Sequence, residues 1–281
     1  VITLNRFPLP QIQEATLLTR KIGLGVMGFA DMLIELGIPY DSEDALAVGN
    51  KVMEAVAYWS REMSIELAQQ RGSFPAFKES ILSQGRLPLT GRRLELNARP
   101  AVLSDAPTFD WPALARQTAQ SGSRNATTTT IAPTGTISII AGVSSGIEPI
   151  FAIAYTRKNV LDADELPEVN PLFERIASRE GFYSPALVRR IAKVGSVQDD
   201  ADVPRRFQRI FATAHDIAGE WHIRMQAAFQ QWTDNAVSKT INFANAARPQ
   251  DIEDAYLLAY RLGCKGLTIY RDGSREAQVL H

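Results

Sequence analysis

Residues 127–138 read Thr-Thr-Thr-Thr-Ile-Ala-Pro-Thr-Gly-Thr-Ile-Ser, and this stretch decides the fold. The β-branched run Thr127–Ile131 predicts a strand, and a short apolar stretch follows the turn. A strand that delivers Thr-Gly-Thr-x-Ser to a helix start presents free backbone N–H groups and hydroxyls at one point. These donors suit a phosphate, although an ordinary capped turn would use the same residues. The candidate anion-binding residues are Pro133, Thr134, Gly135, Thr136, Ile137 and Ser138.

A second segment rich in glycine and serine, from Gly142 to Pro149, follows the turn at once. Two such segments in close succession favour the loop wall of a ligand pocket over an isolated capped turn.

The remaining strand signals are short and lie between long helical patterns. The predicted strands are Thr127–Ala132, Ile150–Thr156, Lys239–Phe243 and Leu267–Tyr270. The main predicted helices are Ser42–Arg71 with Asp41 as N-cap, two that open at Asn170-Pro171 and Ser184-Pro185, the long pattern Pro204–Trp232, and Pro249–Leu262. In the first of these, Val48, Val52, Val56, Trp59, Met63 and Leu67 form an apolar stripe that we assign to the core. This alternation predicts buried strands in an α/β layer or barrel, and we expect residues 1–281 to form one domain.

Composition excludes several classes of function. The 281 residues carry 30 Lys and Arg against 31 Asp and Glu, which disfavours a general nucleic-acid surface. The single cysteine, Cys264, excludes a disulfide framework and a catalytic dithiol, and we expect it to be a buried, inert thiol. His215, His222 and His281 are scattered, so we predict no metal site, and no apolar run reaches the roughly 18 residues of a membrane helix. We therefore expect a cytoplasmic protein.

The segment Gly23-Leu-Gly25-Val-Met-Gly28 matches the dinucleotide-binding fingerprint in its letters. That fingerprint requires a strand before the glycines, whereas Glu14–Ile22 has a helical pattern. We interpret the glycines as helix-packing residues. A helix across Arg20–Gly28 would eliminate an NAD-dependent dehydrogenase, which is the third hypothesis for the function.

Taken together, several segments resemble the catalytic subunit of ribonucleotide reductase, more closely its adenosylcobalamin-dependent (class II) branch. The matching segments run in order along nearly the whole chain: Arg20–Met32, Ser64–Ala68, Arg71–Pro75, Arg124–Thr127, Ala132–Ser138, Gly146–Pro149, Val237–Thr240 and Gly263–Gly266. Several separate motifs in register are far more specific than any one of them.

The resemblance implies the second half of a ten-stranded α/β barrel in which the turn Pro133–Ser138 holds the phosphates of a ribonucleoside di- or triphosphate. The cofactor that it implies for the intact enzyme is adenosylcobalamin, at a site that cannot be assigned in this chain. The class I branch carries adjacent tyrosines for radical transfer where this chain has Thr268-Ile269. A radical generated locally by the cofactor therefore fits better than one relayed from a partner subunit.

The chain also departs from the family pattern. The family's radical cysteine, its nearby glutamate and its reducing cysteines lie outside the matched region, and Cys264 is not in their motif. We therefore expect a fragment or one piece of a split subunit that has no catalytic residues of its own. Its expected partner is the missing N-terminal barrel half or a second copy, because a half barrel exposes strand edges. The alternative function is a catalytically inactive nucleotide- or partner-binding module derived from the same barrel.

Overall fold

The computed structural model describes residues 2–89, 94–157 and 166–274. The helices are α1 (Pro10–Thr19), α2 (Phe29–Glu35), α3 (Glu43–Arg71), α4 (Trp111–Ser121), α5 (Gly135–Ala141), α6 (Pro171–Glu180), α7 (Pro185–Val194), α8 (Arg205–Ile210), α9 (Gly219–Gln230) and α10 (Pro249–Arg261). The strands are β1 (Ala154–Arg157), β2 (Leu166–Val169), β3 (Thr240–Phe243) and β4 (Thr268–Arg271). Short 3-10 turns lie at Ile2–Leu4, Pro75–Glu79, Ile81–Gln84 and Ala101–Leu103.

Parallel pairing joins four extended segments that helices separate in the sequence. Leu24 pairs with Thr129, and Ile131 pairs with Val237, both in parallel. The chain then continues into β3, which lies parallel to β4, whereas β1 and β2 form a separate antiparallel pair. Helices connecting parallel strands are the mark of an α/β fold, so the predicted fold class is confirmed.

The helical pattern predicted for Glu14–Ile22 ends early, and no helix crosses Arg20–Gly28. Helix α1 ends at Thr19, and Arg20 follows in a left-handed conformation with φ 47°. Leu24 then forms a parallel bridge with Thr129. The amide of Leu24 donates to Thr128 O at 2.8 Å, and Thr130 N donates back to Leu24 O at 3.0 Å. These hydrogen bonds come from residues a hundred positions away, so the local helical pattern did not reveal them.

Gly23 and Gly25 allow this extended segment to approach its neighbour closely. A Cβ at Gly25 would lie 2.1 Å from the carbonyl oxygen of Thr130, and one at Gly23 would lie 2.4 Å from Thr130 Cγ2. The glycines therefore serve packing, as predicted, but the packing is between extended segments and not between helices.

The apolar stripe predicted for α3 is only partly buried. Trp59 is 54% exposed and Met63 is 50% exposed, although Val48 is buried. The buried face consists mainly of small side chains, with Gly49 set against Phe229. Small residues let α9 approach α3 closely. The face of α3 that is buried was therefore decided by close packing of the two helices, and not by the size of the apolar side chains. Its N-cap is Ser42, whose Oγ accepts from Ala45 N at 3.1 Å, and not Asp41.

The long pattern Pro204–Trp232 is not one helix. Helix α8 ends at Ile210 and α9 begins at Gly219. In the connection, Asp216 Oδ2 accepts from the backbone N–H of Thr213 at 2.8 Å and from its hydroxyl at 2.7 Å. Such a side-chain cap offers the backbone an alternative to helical hydrogen bonds. His215 lies in this connection and His222 in α9, so the two histidines do not share a helix face.

A buried carboxylate links α3 to the parallel layer. Asp234 Oδ2 accepts from Arg61 at 2.6 Å, and both side chains are 3% exposed. The same oxygen accepts from Thr128 N at 2.6 Å and from Thr128 Oγ1 at 3.1 Å. Asp234 N in turn donates to Thr129 Oγ1 at 2.8 Å. The contacts fix the segment 127–131 beneath α3.

Replacing Gly25 with alanine should disrupt the parallel layer, because the new Cβ meets a backbone oxygen that cannot move without breaking the pairing. We expect Gly25→Ala to lower the free energy of unfolding by about 3 kcal/mol, measured by urea denaturation. Gly266→Ala is the control, since a Cβ there has nothing within 4 Å. Equal stability of the two variants would contradict the close approach.

Candidate functional site

The predicted phosphate turn lies where the extended segment 127–131 ends. Thr134 adopts a left-handed conformation with φ 53° and precedes α5. Gly135, Thr136 and Ile137 are exposed, and their backbone N–H groups have no acceptor among the described residues. The turn thus offers three unsatisfied donors to solvent at the carboxyl end of a parallel segment, which is where ligands of α/β folds bind.

The three hydroxyls of the turn have different surroundings. Thr134 Oγ1 accepts from Gly146 N at 2.7 Å. Ser138 is 3% exposed, and its hydroxyl donates to Gly135 O at 3.0 Å. Of these three hydroxyls, that of Thr136 differs, because Thr136 is exposed and its hydroxyl has no hydrogen bond to any described residue. Thr134 and Ser138 therefore shape the turn, while Thr136 remains available to a ligand.

The second loop, residues 142–149, is bonded to the first. Ser145 Oγ donates to the carbonyl oxygen of Pro133, and Gly146 is buried against the turn. On the other side of the loop, Ser144 N donates to Asp31 Oδ2 at 2.6 Å. The two segments therefore form one continuous wall, which we call the double loop (residues 132–149).

The double loop also occupies the start of α2. Gly28 N donates to Ser144 O at 2.8 Å, Phe29 N to Gly146 O at 3.5 Å, and Asp31 N to Ser144 Oγ at 3.4 Å. A dinucleotide-binding turn needs such N–H groups free for pyrophosphate. The helix across Arg20–Gly28 that would have eliminated an NAD-dependent dehydrogenase is absent. The contacts at the start of α2 argue against that hypothesis instead, because they occupy the N–H groups.

A buried lysine lies behind the double loop. Lys239 is 1% exposed, and its ammonium donates to Glu148 Oε2, to His222 Nδ1 at 2.7 Å and to Thr240 O at 2.6 Å. Glu148 Oε1 accepts from Thr240 N at 2.7 Å. We refer to Glu148, Lys239 and His222 as the triad; Lys239 and His222 are buried, whereas the side chain of Glu148 is 26% exposed.

Burial shifts the pKa values of His222 and Lys239. Desolvation, followed by the positive charge of Lys239, lowers the pKa of His222 to about 3. His222 is therefore neutral near pH 7, with Nδ1 accepting from Lys239 and Nε2 donating to Ala214 O at 3.1 Å. Desolvation also lowers the pKa of Lys239, and the charge of Glu148 opposes that shift. Tyr40, whose hydroxyl donates to Ile147 O at 2.6 Å, has its pKa raised by burial and then by Glu148.

The sequence pattern did not identify this triad, because its members are far apart in the chain. A weak signal existed, since Lys239 adjoins the predicted buried strand Lys239–Phe243, and a buried ammonium requires a partner. Nothing local pointed to Glu148 or His222 as that partner.

Other polar residues hold the backbone. Arg124 donates to the carbonyl oxygens of Arg71 at 3.0 Å and Gly72 at 2.9 Å, where α3 ends. Lys265 donates to the carbonyl oxygen of Asp234. The rings of His215 and Phe151 pack edge to face, with their centroids 5.5 Å apart. His281 lies outside the described residues.

Across residues 2–89, 94–157 and 166–274, no group of three or more His, Cys, Asp and Glu side chains could hold a metal ion. None of the helices in the same ranges is both long and apolar enough to span a bilayer.

The chain matches the family described as ribonucleotide reductase, barrel domain, over residues 1–270. It is 46% identical over 280 residues to a vitamin B12-dependent ribonucleoside-diphosphate reductase of Thermoplasma acidophilum and 42% identical to one of Mycobacterium tuberculosis. It is also 32% identical over 269 residues to a ribonucleoside-diphosphate reductase subunit alpha of Chlamydia pneumoniae.

These alignments cover 100% of the chain for the first two relatives and 94% for the third. They cover only 32%, 35% and 26% of the relatives themselves. The chain thus spans about a third of the length of its B12-dependent relatives.

The single cysteine should react slowly. Burial raises the pKa of the Cys264 thiol to about 12, which leaves about one thiolate in ten thousand at pH 8. We expect iodoacetamide to alkylate the folded chain about a thousandfold more slowly than it alkylates an exposed thiol, measured by intact mass. The same cysteine in guanidinium chloride is the control and should react at the ordinary rate. The structure shows Cys264 as half-buried and not fully buried as predicted. Rapid alkylation of the folded chain would contradict the prediction that the thiol is inert.

Proposed function

The chain belongs to the ribonucleotide reductase barrel-domain family, and we propose that it supplies the substrate-phosphate site of an enzyme that converts ribonucleotides to deoxyribonucleotides. The observation that carries the proposal is the exposed turn Gly135–Ile137, whose three N–H groups have no acceptor among the described residues. On this proposal residues 1–281 form a single domain, and the substrate is a ribonucleoside di- or triphosphate.

The phosphate is bound by backbone donors and one hydroxyl. Gly135, Thr136 and Ile137 donate their N–H groups, and the Thr136 hydroxyl adds a fourth donor. Pro133, Thr134 and Ser138 hold the turn through the contacts described above. Residues 132–149 contain no Lys or Arg, so attraction of the anion from this chain comes from the dipoles of the peptide groups.

The radical chemistry comes from outside these residues. In the intact enzyme, adenosylcobalamin supplies the radical that starts the replacement of the ribose 2′-hydroxyl by hydrogen. The radical and reducing cysteines are absent from this chain, whose one cysteine packs against a small apolar cluster around Ile241. We therefore propose that the isolated chain binds nucleotides without reducing them.

The same absence of cysteines supports the second candidate, an inactive nucleotide- or partner-binding module. The two candidates differ in whether a polypeptide that contains the missing cysteines restores nucleotide reduction when it is combined with this chain. Restored turnover would favour the reductase, and its absence would favour the binding module.

The partner that we propose is the missing N-terminal part of the barrel. Strand β4 has one described neighbour, β3, so one edge lacks a partner among the described residues. Large apolar side chains are also exposed, with Ile139 at 81% and Ile140 at 80% in the double loop and Leu24 at 52% beside the segment 127–131. Without that partner, a second copy of the chain would cover the same surface.

Phosphate binding is tested by calorimetric titration of the purified chain with ADP. Thr136→Ala removes one hydroxyl donor to a charged group, so we expect the Kd to rise about tenfold or more. The double variant Thr136→Ala/Ser138→Ala also loosens the turn and should bind more weakly still.

Ser178→Ala is the control, since Ser178 is an exposed residue on α6. It should bind like the unchanged chain. No binding by the unchanged chain, or unchanged binding by Thr136→Ala, would overturn the proposal that this turn is a working phosphate site.

The exposed apolar surface leads to a prediction about association. We expect the purified chain to self-associate, and Ile139→Ser/Ile140→Ser to shift it towards the monomer, because these side chains are four-fifths exposed. Light scattering at several concentrations measures this. Val194→Ser, at an exposed apolar position on α7, is the control. A stable monomer of the unchanged chain would contradict the prediction.

A further inference from the structure

We propose that Glu148 is a positioning residue for the phosphate turn, and that Lys239 and His222 hold its carboxylate in place. The inference rests on the proposed function and adds a group that does not itself touch the phosphate. None of the three side chains belongs to the turn.

The first step is a path of contacts from β3 to the turn. Glu148 Oε1 accepts from Thr240 N at 2.7 Å, which ties the end of the double loop to β3. Two residues earlier, Gly146 N donates to Thr134 Oγ1 at 2.7 Å. Between them, Glu148 N donates to Ser145 O at 2.9 Å and closes a tight turn. Moving Glu148 therefore moves the residues that hold Thr134.

The second step is that the carboxylate cannot move freely. An ammonium has three N–H donors, and those of Lys239 meet Glu148 Oε2, His222 Nδ1 and Thr240 O. His222 can accept because it is neutral, and its other nitrogen is held by Ala214 O at 3.1 Å. Every group in the triad is satisfied, so the position of the carboxylate is defined by β3, α9 and the connection before α9.

The third step is electrostatic. Glu148 is the only charged residue in 132–149, and it lies two residues after Gly146, which contacts Thr134 of the phosphate turn. Lys239 cancels this charge from within the core, so the double loop carries little net charge towards the phosphate. Removing Lys239 alone leaves an unpaired carboxylate beside the turn, which both repels an anion and frees the loop.

A purely structural role would behave differently. Buried ion pairs can often be replaced by apolar pairs of similar volume without loss of stability. Such a replacement removes the fixed carboxylate while it keeps the fold. Affinity for phosphate and stability should therefore separate in the double variant Glu148→Leu/Lys239→Met.

The experiment measures urea denaturation and calorimetric binding of inorganic pyrophosphate and ADP on the full chain. We expect Glu148→Leu/Lys239→Met to unfold cooperatively and to bind both probes at least about tenfold more weakly. Lys239→Met alone should lose both stability and affinity. Where the double variant does not fold, Glu148→Ala removes the acceptor for Thr240 N, and its affinity should fall. Glu148→Gln keeps that acceptor, so it should bind more tightly than Glu148→Ala.

The control is Phe173→Leu, which destabilises the chain from a separate apolar cluster around α6. It should lower stability and leave the Kd unchanged. The inference presupposes that the unchanged chain binds and that Thr136→Ala weakens binding. It is overturned when Glu148→Leu/Lys239→Met and Lys239→Met then bind with the Kd of the unchanged chain. It is also overturned when their loss of affinity only follows their loss of stability. When the unchanged chain binds neither probe, the proposed function itself has failed.

Discussion

The carboxylate of Asp234 is the contact on which the rest of the structure depends. It lies in the interior, bonded to Arg61 of α3 and to both the backbone and the hydroxyl of Thr128. A buried charge that loses its partner is strongly destabilising, so the contact between Arg61 and Asp234 favours the arrangement that keeps it. That arrangement places α3 over the extended segment 127–131 and sets the position at which this segment ends.

The functional surface follows from that placement. The segment 127–131 is held on one side by the chain near Leu24, where Gly23 and Gly25 leave room, and on the other by Val237. It delivers the turn Pro133–Ser138 to the carboxyl edge of the layer. The second loop then fixes the turn through Gly146 and Ser145. Buried side chains thus do the positioning, and backbone N–H groups are left to bind.

Two ion pairs start from the short segment 234–239, and they have different consequences. Arg61 and Asp234 are both almost fully buried and join a helix to the layer. In the second pair Lys239 is buried, whereas the side chain of Glu148 is 26% exposed and belongs to a loop. The first pair stabilises the scaffold, and the second reaches from the scaffold to the surface. This difference is why the inference about positioning concerns Glu148.

Sequence alone determined the elements whose signals are local. Asn170 and Ser184 cap α6 and α7 with their own side chains, and Pro-Thr-Gly encodes the turn after the segment 127–131. That segment was predicted as a strand, but it pairs only through isolated bridges at Thr129 and Ile131. Tertiary structure decided the non-helical path of 20–28, the break between α8 and α9, and the face of α3 that is buried. It also brought Glu148 to Lys239, 91 residues away. Caps and turns depend on atoms a few residues apart, whereas ladder hydrogen bonds and buried ion pairs depend on partners that only the folded chain brings together.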